Sequence, residues 1–302
     1  MSNASVVDTP EVRHRWIEAD GTRVFYRETG PADAPTLLLL HGFPSGSHQF
    51  RGLMARLGHA YHLIAPDLPG FGFTEVPDMA SYGFTFDRLA KAIDAFVDAL
   101  GLERFALYVF DFGAPVGLRM AAARPERITA LISQNGNAYE EGLTESWGGV
   151  RAYWADPSPE NREAVADALL HFEGTRWQYL HGVSEVQRVA PESYTLDALL
   201  LERPGVREAM LDLIFDYRSN LALYPRFQQW LRTHRPPTLA IWGRNDPFFA
   251  PAGAEAFARD VPRAEVELLD TGHFALETHA GEIAARIHDF LSRSLAHAAQ
   301  DT

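Results

Sequence analysis

Leu107-Tyr108-Val109-Phe110-Asp111-Phe112-Gly113-Ala114-Pro115-Val116-Gly117 decides how the chain reads. Phe105 to Phe110 is an apolar, aromatic-rich run of the kind that forms a buried strand. From Gly113, the run to Ala123 has helical composition, with Pro115 in the first turn, where a missing N–H is tolerated. Asp111 falls at the joint. A polar side chain on a sharp strand-to-helix turn is the geometry of a nucleophile elbow. Such a turn needs small neighbours. Gly113 and Gly117 supply them, and Val109 does so less well. A carboxylate at this point would displace at carbon and form an alkyl ester with the protein, which water then cleaves. An isolated Asp at such a joint more often just caps the helix. The rest of the chain reverses that preference.

With 302 residues, 46% of them hydrophobic, the chain can build one large core, or a core plus a lid. The net charge is -13 and there is no basic run, which makes nucleic acid and anionic membranes poor partners. There is no Cys, so disulfides, thiol catalysis and Cys-ligated metal are excluded. Residues 1–15 are polar and mixed in charge, without the apolar centre of a signal peptide. No apolar stretch reaches the roughly 20 residues of a membrane span. The expected setting is cytoplasmic, as a monomer or homodimer.

Working outward from the elbow, His14 to Glu18 and Thr22 to Glu28 alternate around Asp20-Gly21, a hairpin signal. Thr36 to Leu40 is a continuous apolar run, read as a central strand buried on both faces, and it ends in His41-Gly42-Phe43-Pro44. A helix is expected from about Ser47 to Leu57. A strand from Tyr61 to Ala65 runs into Pro66-Asp67-Leu68-Pro69-Gly70-Phe71-Gly72. Phe86 to Leu100 has helical spacing and Gly101 stops it. Ile128 to Ser133 is a further strand. From Tyr139 to about Tyr224 strand signals are few, aromatics are many, and helices are expected near Glu160 to His171 and over Tyr194 to Phe215. Alternation then resumes, with strands at Pro237 to Trp242 and Val266 to Leu269 and helices at Gly253 to Arg259 and Ala275 to Ser294.

Strand–helix alternation predicts an α/β fold, a mostly parallel sheet with helices on both faces. Residues 1–136 and 226–302 form the expected core domain, and 137–225 the inserted helical cap. Ligands of such sheets bind beyond the carboxyl ends of the strands, where His41, Asp67, Asp111, Asn135, Asp246 and His273 fall. Trp242-Gly243-Arg244-Asn245-Asp246-Pro247 puts a carboxylate after one strand, and Leu269-Asp270-Thr271-Gly272-His273-Phe274 an imidazole after the next. Singly, Asp246 reads as a turn residue and His273 as structural. Jointly, the order nucleophile, acid, His is that of α/β-hydrolases.

The elbow, the His41-Gly42-Phe43-Pro44 loop, the Asp67–Gly72 loop and Gly272-His273-Phe274 together resemble α/β-hydrolases with an Asp nucleophile, namely epoxide hydrolases and the dehalogenases of that fold. The resemblance spans about Trp16 to Leu291. It implies an eight-stranded, mostly parallel sheet and a cofactor-free, metal-free hydrolysis of a small hydrophobic substrate. Asp111 attacks an electrophilic carbon. His273, oriented by Asp246, activates water against the resulting ester, and the backbone N–H groups of Phe43 and Phe112 hold the oxyanion.

Which electrophile is attacked depends on what receives the leaving charge. Haloalkane dehalogenases of this fold place Trp directly after the nucleophile, and often Asn after the His-Gly pair. Fluoroacetate dehalogenases place Arg after the nucleophile. Phe112 and Phe43 occupy those positions here, and neither side chain donates a hydrogen bond. Epoxide hydrolases use Tyr phenols of the cap. Phe215-Asp216-Tyr217-Arg218-Ser219-Asn220 resembles their late-cap segment, so Tyr217 is the expected acid; the plainer reading is a packed aromatic with a satisfied hydroxyl. The place for a second phenol holds Gly149 and Val150, leaving Tyr153 or Tyr179 as candidates. Trp147, Trp154 and Trp177 could instead offer indole N–H groups to a halide. With His41, these aromatics are the expected pocket residues. An epoxide hydrolase is thus the first reading and a haloalkane or haloacid dehalogenase the second. The third, from another class, is a non-catalytic receptor of the same fold.

Overall fold

Asp20 and Gly21 both take positive φ, 48° and 75°, which matches a two-residue turn to the twist of its strands. Arg13–Ala19 (β1) therefore folds back antiparallel on Thr22–Thr29 (β2). The computed structural model describes residues 10–300, with side chains through residue 294. Residues 1–9 of the polar N-terminal stretch lie outside the described residues.

The chain continues through Thr36–Leu40 (β3), a 3-10 turn at Ser47–Phe50, Arg51–Leu57 (α1), His62–Pro66 (β4) and Phe86–Ala99 (α2). Phe105–Phe110 (β5), Gly113–Ala123 (α3) and Ile128–Gln134 (β6) follow. Six helices come before the next strand: Gly148–Ala155 (α4), Pro159–Leu169 (α5), Phe172–Leu180 (α6), Pro191–Leu201 (α7), Val206–Asp216 (α8) and Arg218–His234 (α9). Thr238–Gly243 (β7), Pro251–Asp260 (α10), Glu265–Leu269 (β8) and Ala275–Gln300 (α11) complete it.

The strands form one eight-stranded sheet in the order β1-β2-β4-β3-β5-β6-β7-β8. β2 is antiparallel to its neighbours, and every pairing from β4 to β8 is parallel. The leucines of β3 explain themselves by alternation. Leu38 and Leu40 enter the core with Ile93 and Phe96 of α2 and Leu118 of α3. Leu37 and Leu39 enter the opposite core with Met54 of α1 and Ile283 of α11. A strand covered on both faces has no solvent side, hence four buried leucines and a polar residue only at its first position, Thr36.

The structure differs from three expectations. The helix expected over Tyr194 to Phe215 is two helices, because Pro204 has no N–H to give and Gly205 takes φ 80°. The start of the helix expected from Ser47 is a 3-10 turn. The boundary expected after residue 225 falls inside α9.

Gly113 shows how tightly the elbow is built. A Cβ on it would lie 2.3 Å from the Leu40 carbonyl oxygen and 2.7 Å from that of His41. Both are backbone atoms of the neighbouring strand end and cannot swing aside. Gly113→Ala is expected to destabilise the fold by about 1–3 kcal/mol, read as a lower urea midpoint at unchanged m-value. An unchanged midpoint would mean that β3 and α3 can separate freely.

Candidate active site

The parallel strands deliver their carboxyl ends to one edge of the sheet, and the candidate residues follow from there. Asp111 comes directly after β5 and takes φ 46°. A single left-handed residue between a strand and a helix turns the chain sharply and points the side chain off the end of the sheet. The carboxylate is almost fully buried, at 6% exposure. The Phe43 N–H donates to its Oδ1 at 2.6 Å, and the Phe112 N–H also bonds to it. The loop approaches this closely because residue 42 is Gly: a Cβ there would sit 2.3 Å from Asp111 Oδ1.

His273 follows β8. Its Nδ1 lies 2.7 Å from Asp246 Oδ2, and its Nε2 3.9 Å from Asp111 Oδ2. Asp246 accepts only, so Nδ1 carries the hydrogen and Nε2 faces Asp111. Asp246 is fixed from two further sides. Asn135 Nδ2 donates to its Oδ2 at 2.7 Å, and the Phe248 N–H to its Oδ1 at 2.7 Å. Asn135, itself left-handed at φ 48°, also accepts the Gly243 N–H at 3.0 Å, tying the ends of β6 and β7. The sequence places Asn135 only beyond the carboxyl end of a strand. Its role as a brace for Asp246 depends on the β6–β7 pairing, which local sequence does not reveal.

Burial pushes the Asp111 carboxyl up, to about 6. The positive His273 and the Phe112 and Phe43 N–H groups oppose this, and the Asp246 charge adds to it. Burial acts to lower His273, but the charge and hydrogen bond of Asp246, with Asp111 behind them, raise it overall. The imidazole thus favours a proton when flanked by both carboxylates.

A cavity of about 130 Å³ opens over these groups, and Asp111, Phe112, His273, Phe43, Trp147 and Tyr217 all face it. Val150, Ile214 and Phe248 continue an apolar wall on which Ser146 and Gln178 are further polar side chains. Tyr217 sits at the junction of α8 and α9, fully buried. Its ring lies 5.7 Å from Phe112 and 4.5 Å from Trp147, centroid to centroid. Burial raises its phenol well above the usual range, with Tyr224 and Asp111 adding to that.

Five of the expected pocket residues do not line this cavity, and each is occupied elsewhere. His41 takes the Leu68 N–H on Nε2 at 2.9 Å and donates from Nδ1 to the Gly42 carbonyl at 3.0 Å, so it staples two loops. Tyr153 accepts from Arg162 at 2.9 Å. Trp154 stacks behind Tyr217 and donates its indole N–H to the Ile214 carbonyl at 2.8 Å. Trp177 is exposed and packs on His181 and the edge of Phe248. Tyr179 belongs to the opposite core, stacked on Phe274 and donating to Asp197 at 2.5 Å. Trp147 does face the cavity, but its indole N–H is donated to the Phe248 carbonyl at 3.0 Å. Asp67 ties its own loop, accepting from the Ser47 and Phe73 N–H groups. Among the described residues no group of three or more His, Asp or Glu side chains is disposed to hold a metal ion, and no helix is long and apolar enough to cross a membrane.

Residues 35–280 match the alpha/beta hydrolase fold family. An uncharacterized hydrolase of Saccharomyces cerevisiae is 47% identical over 277 residues, 91% of this chain and 95% of that one. Haloalkane dehalogenase 2 of Mycobacterium tuberculosis is 27% identical across 90% of this chain and 93% of its own. Epoxide hydrolase 2 of Caenorhabditis elegans is also 27% identical, across 82% and 71%. The crystal structure of the haloalkane dehalogenase DbeA from Bradyrhizobium elkani superposes with a TM-score of 0.76 at 23% identity, covering 95% of this chain and 100% of that one. That likeness is one of fold.

The raised Asp111 carboxyl has a consequence for stability. An acid whose folded pKa exceeds its unfolded 3.8 penalises folding once it must ionise; the penalty is absent below 3.8 and complete above about 6. Asp111→Asn removes the charge and keeps the shape. The variant is expected to be more stable than the parent at pH 7.5 by about 1–3 kcal/mol, with the gain fading to nothing near pH 4. Thermal unfolding across that range checks it, and a gain independent of pH would contradict the assignment.

Proposed function

The chain belongs to the α/β-hydrolase fold family, and on that footing we propose that it is an epoxide hydrolase. Residues 1–136 and 226–302 would be its core domain and 137–225 its cap, working on a small hydrophobic epoxide. The observation that carries the reading is a phenol, Tyr217, facing the same cavity as the buried Asp111 carboxylate. An opening epoxide becomes an alkoxide and needs a proton. A departing halide needs only weak donors.

Asp111 Oδ2 attacks an epoxide carbon and forms the ester C–O bond. The ring C–O bond breaks and its oxygen takes the Tyr217 proton. Asp111 Oδ1, now the ester carbonyl oxygen, keeps the Phe43 N–H, and the Phe43 and Phe112 N–H groups together would hold the charge that develops there. His273 Nε2 takes a proton from water, and Asp246 stabilises the imidazolium. Hydroxide adds to the ester carbonyl, and the released alkoxide takes that proton from His273. The carboxyl proton left on Asp111 returns through solvent to the Tyr217 phenolate. The net reaction is epoxide plus water to vicinal diol. The size of the cavity supports a compact substrate: an apolar cavity of about 150 Å³ accommodates benzene.

The family relatives include a haloalkane dehalogenase, which gives a second reading. Against it stands the fact that the indole N–H groups of Trp147 and Trp154 are already donated to backbone carbonyls. A halide would have to displace one of them.

Intact mass after exposing the His273→Gln protein to styrene oxide, and separately to a bromoalkane, tests both readings. The expected result is a gain equal to the whole epoxide, with the adduct on Asp111 and absent in Asp111→Ala. An alkyl gain with loss of bromide would replace this reading by the dehalogenase one. No adduct with either would leave a binding protein, or a substrate outside both panels, as the live readings. In the protein with His273 intact, a single turnover in ¹⁸O-water is expected to label Asp111 before the diol. Tyr217→Phe is expected to slow ester formation by about 10²–10⁴-fold, the range for a lost general acid.

A further inference from the structure

The cavity holds one phenol where an epoxide-opening site of this kind was expected to have two. Neither Tyr153 nor Tyr179 reaches it. What lies behind Tyr217 is Tyr224, fully buried on α9, with the two hydroxyl oxygens 3.4 Å apart. Either could donate to the other, and the direction matters. If Tyr217 donates backward to Tyr224, its proton points away from the substrate.

Asn137 favours one direction. Its Oδ1 accepts the Tyr139 N–H at 3.3 Å and its Nδ2 donates to the Tyr139 carbonyl at 2.7 Å, so the amide cannot be flipped without losing both. The second hydrogen of Nδ2 points to the Tyr224 hydroxyl oxygen, 3.4 Å away. An amide nitrogen has no lone pair to offer, so Tyr224 accepts from Asn137. Its own hydrogen is then free for Tyr217, the one remaining hydrogen-bond partner of that hydroxyl among the described residues. Tyr217, accepting from behind, keeps its hydrogen for the cavity. The 3.4 Å spacings are long, as hydrogen bonds in an empty catalytic site commonly are before substrate draws them in.

We propose that Asn137 and Tyr224 are positioning residues that aim the Tyr217 proton into the cavity and stabilise the phenolate left when that proton is given up. The inference rests on the reading of Tyr217 as the acid. No proton leaves Tyr224: its O–H bond stays intact and its hydrogen bond to Tyr217 shortens as negative charge grows there. Only the Tyr217 O–H bond breaks, its proton going to the epoxide oxygen.

The test follows ester formation from styrene oxide by intact mass in a His273→Gln background, where the ester accumulates. Tyr224→Phe keeps the ring and removes the donor. It is expected to slow ester formation about tenfold, the worth of one hydrogen bond, with the half-saturating epoxide concentration unchanged. With His273 intact, hydrolysis of the ester is expected to keep its rate, because that step uses neither phenol as an acid. Asn137→Asp exchanges donor for acceptor and reverses the chain. It is expected to slow ester formation at least as much. Tyr217→Phe separates the two claims. If Tyr217→Phe is slow and Tyr224→Phe is not, the relay is wrong and the epoxide reading survives. If Tyr217→Phe is itself without effect, both are overturned. Equal slowing of ester formation and ester hydrolysis by Tyr224→Phe would mean that the residue is packing, which also overturns the relay.

Discussion

One carboxylate, buried almost completely and held in a left-handed turn, sets the terms for everything around it. Asp111 has little water to solvate it, so the protein must supply what water would. The Phe43 and Phe112 N–H groups and the His273 imidazole do so. Each of these needs its own support. Phe43 reaches Asp111 only because Gly42 leaves room and because His41 staples the loop to Leu68. His273 is held by Asp246, and Asp246 by Asn135 and the Phe248 N–H. The supports come from the ends of β3, β5, β6, β7 and β8, so the site exists only when the parallel sheet is in register. The compensation is partial, as the raised Asp111 carboxyl shows. A group left short of stabilisation in this way, at the edge of a cavity, is a candidate for reactivity.

How much of this could be read from residues alone follows from how local each signal is. The elbow was legible because an apolar strand, an acid and a small-residue helix start lie within a dozen positions. Asp246 and His273 were legible because each directly follows an apolar run, and the sheet carries any such position to the same edge. The inserted helices were a different matter. Trp147, Tyr153, Trp154, Trp177 and Tyr179 all lie in the inserted helical stretch, yet only Trp147 of the five faces the cavity. Which side of a helix looks inward is decided by the neighbour it packs on, and those neighbours are far away in sequence: Phe248 for Trp177, Phe274 for Tyr179. The single helix expected over Tyr194 to Phe215 ignored Pro204-Gly205, a break that was visible in the sequence. Asn135 is legible only as a residue at a strand end, because what it braces depends on a partner more than a hundred positions away.

The epoxide and halide readings both use the elbow, so discrimination between them lies in donors above it. Here the difference is a matter of which hydrogens are already spoken for. Aromatic side chains crowd around Tyr217, and a count of rings would suggest many possible donors. Trp147 and Trp154 give their N–H groups to carbonyls of neighbouring loops and helices, as buried polar groups generally must. What these rings supply to the cavity is shape and low polarity. Both weaken competition from water and make a phenol a poorer acid in the ground state, as its raised pKa reflects.

The same apolar wall bears on which molecules can enter. In the reaction proposed, both oxygens of the product lie at polar groups, one beside Tyr217 and the other beside Asp111 and His273, which leaves only hydrocarbon for Val150, Ile214 and Phe248. A polar substituent carried away from the reacting ring would be buried against these side chains at a cost of about 1–3 kcal/mol unless it reached Ser146 or Gln178. The wall therefore sorts molecules by the part of them that takes no part in the chemistry.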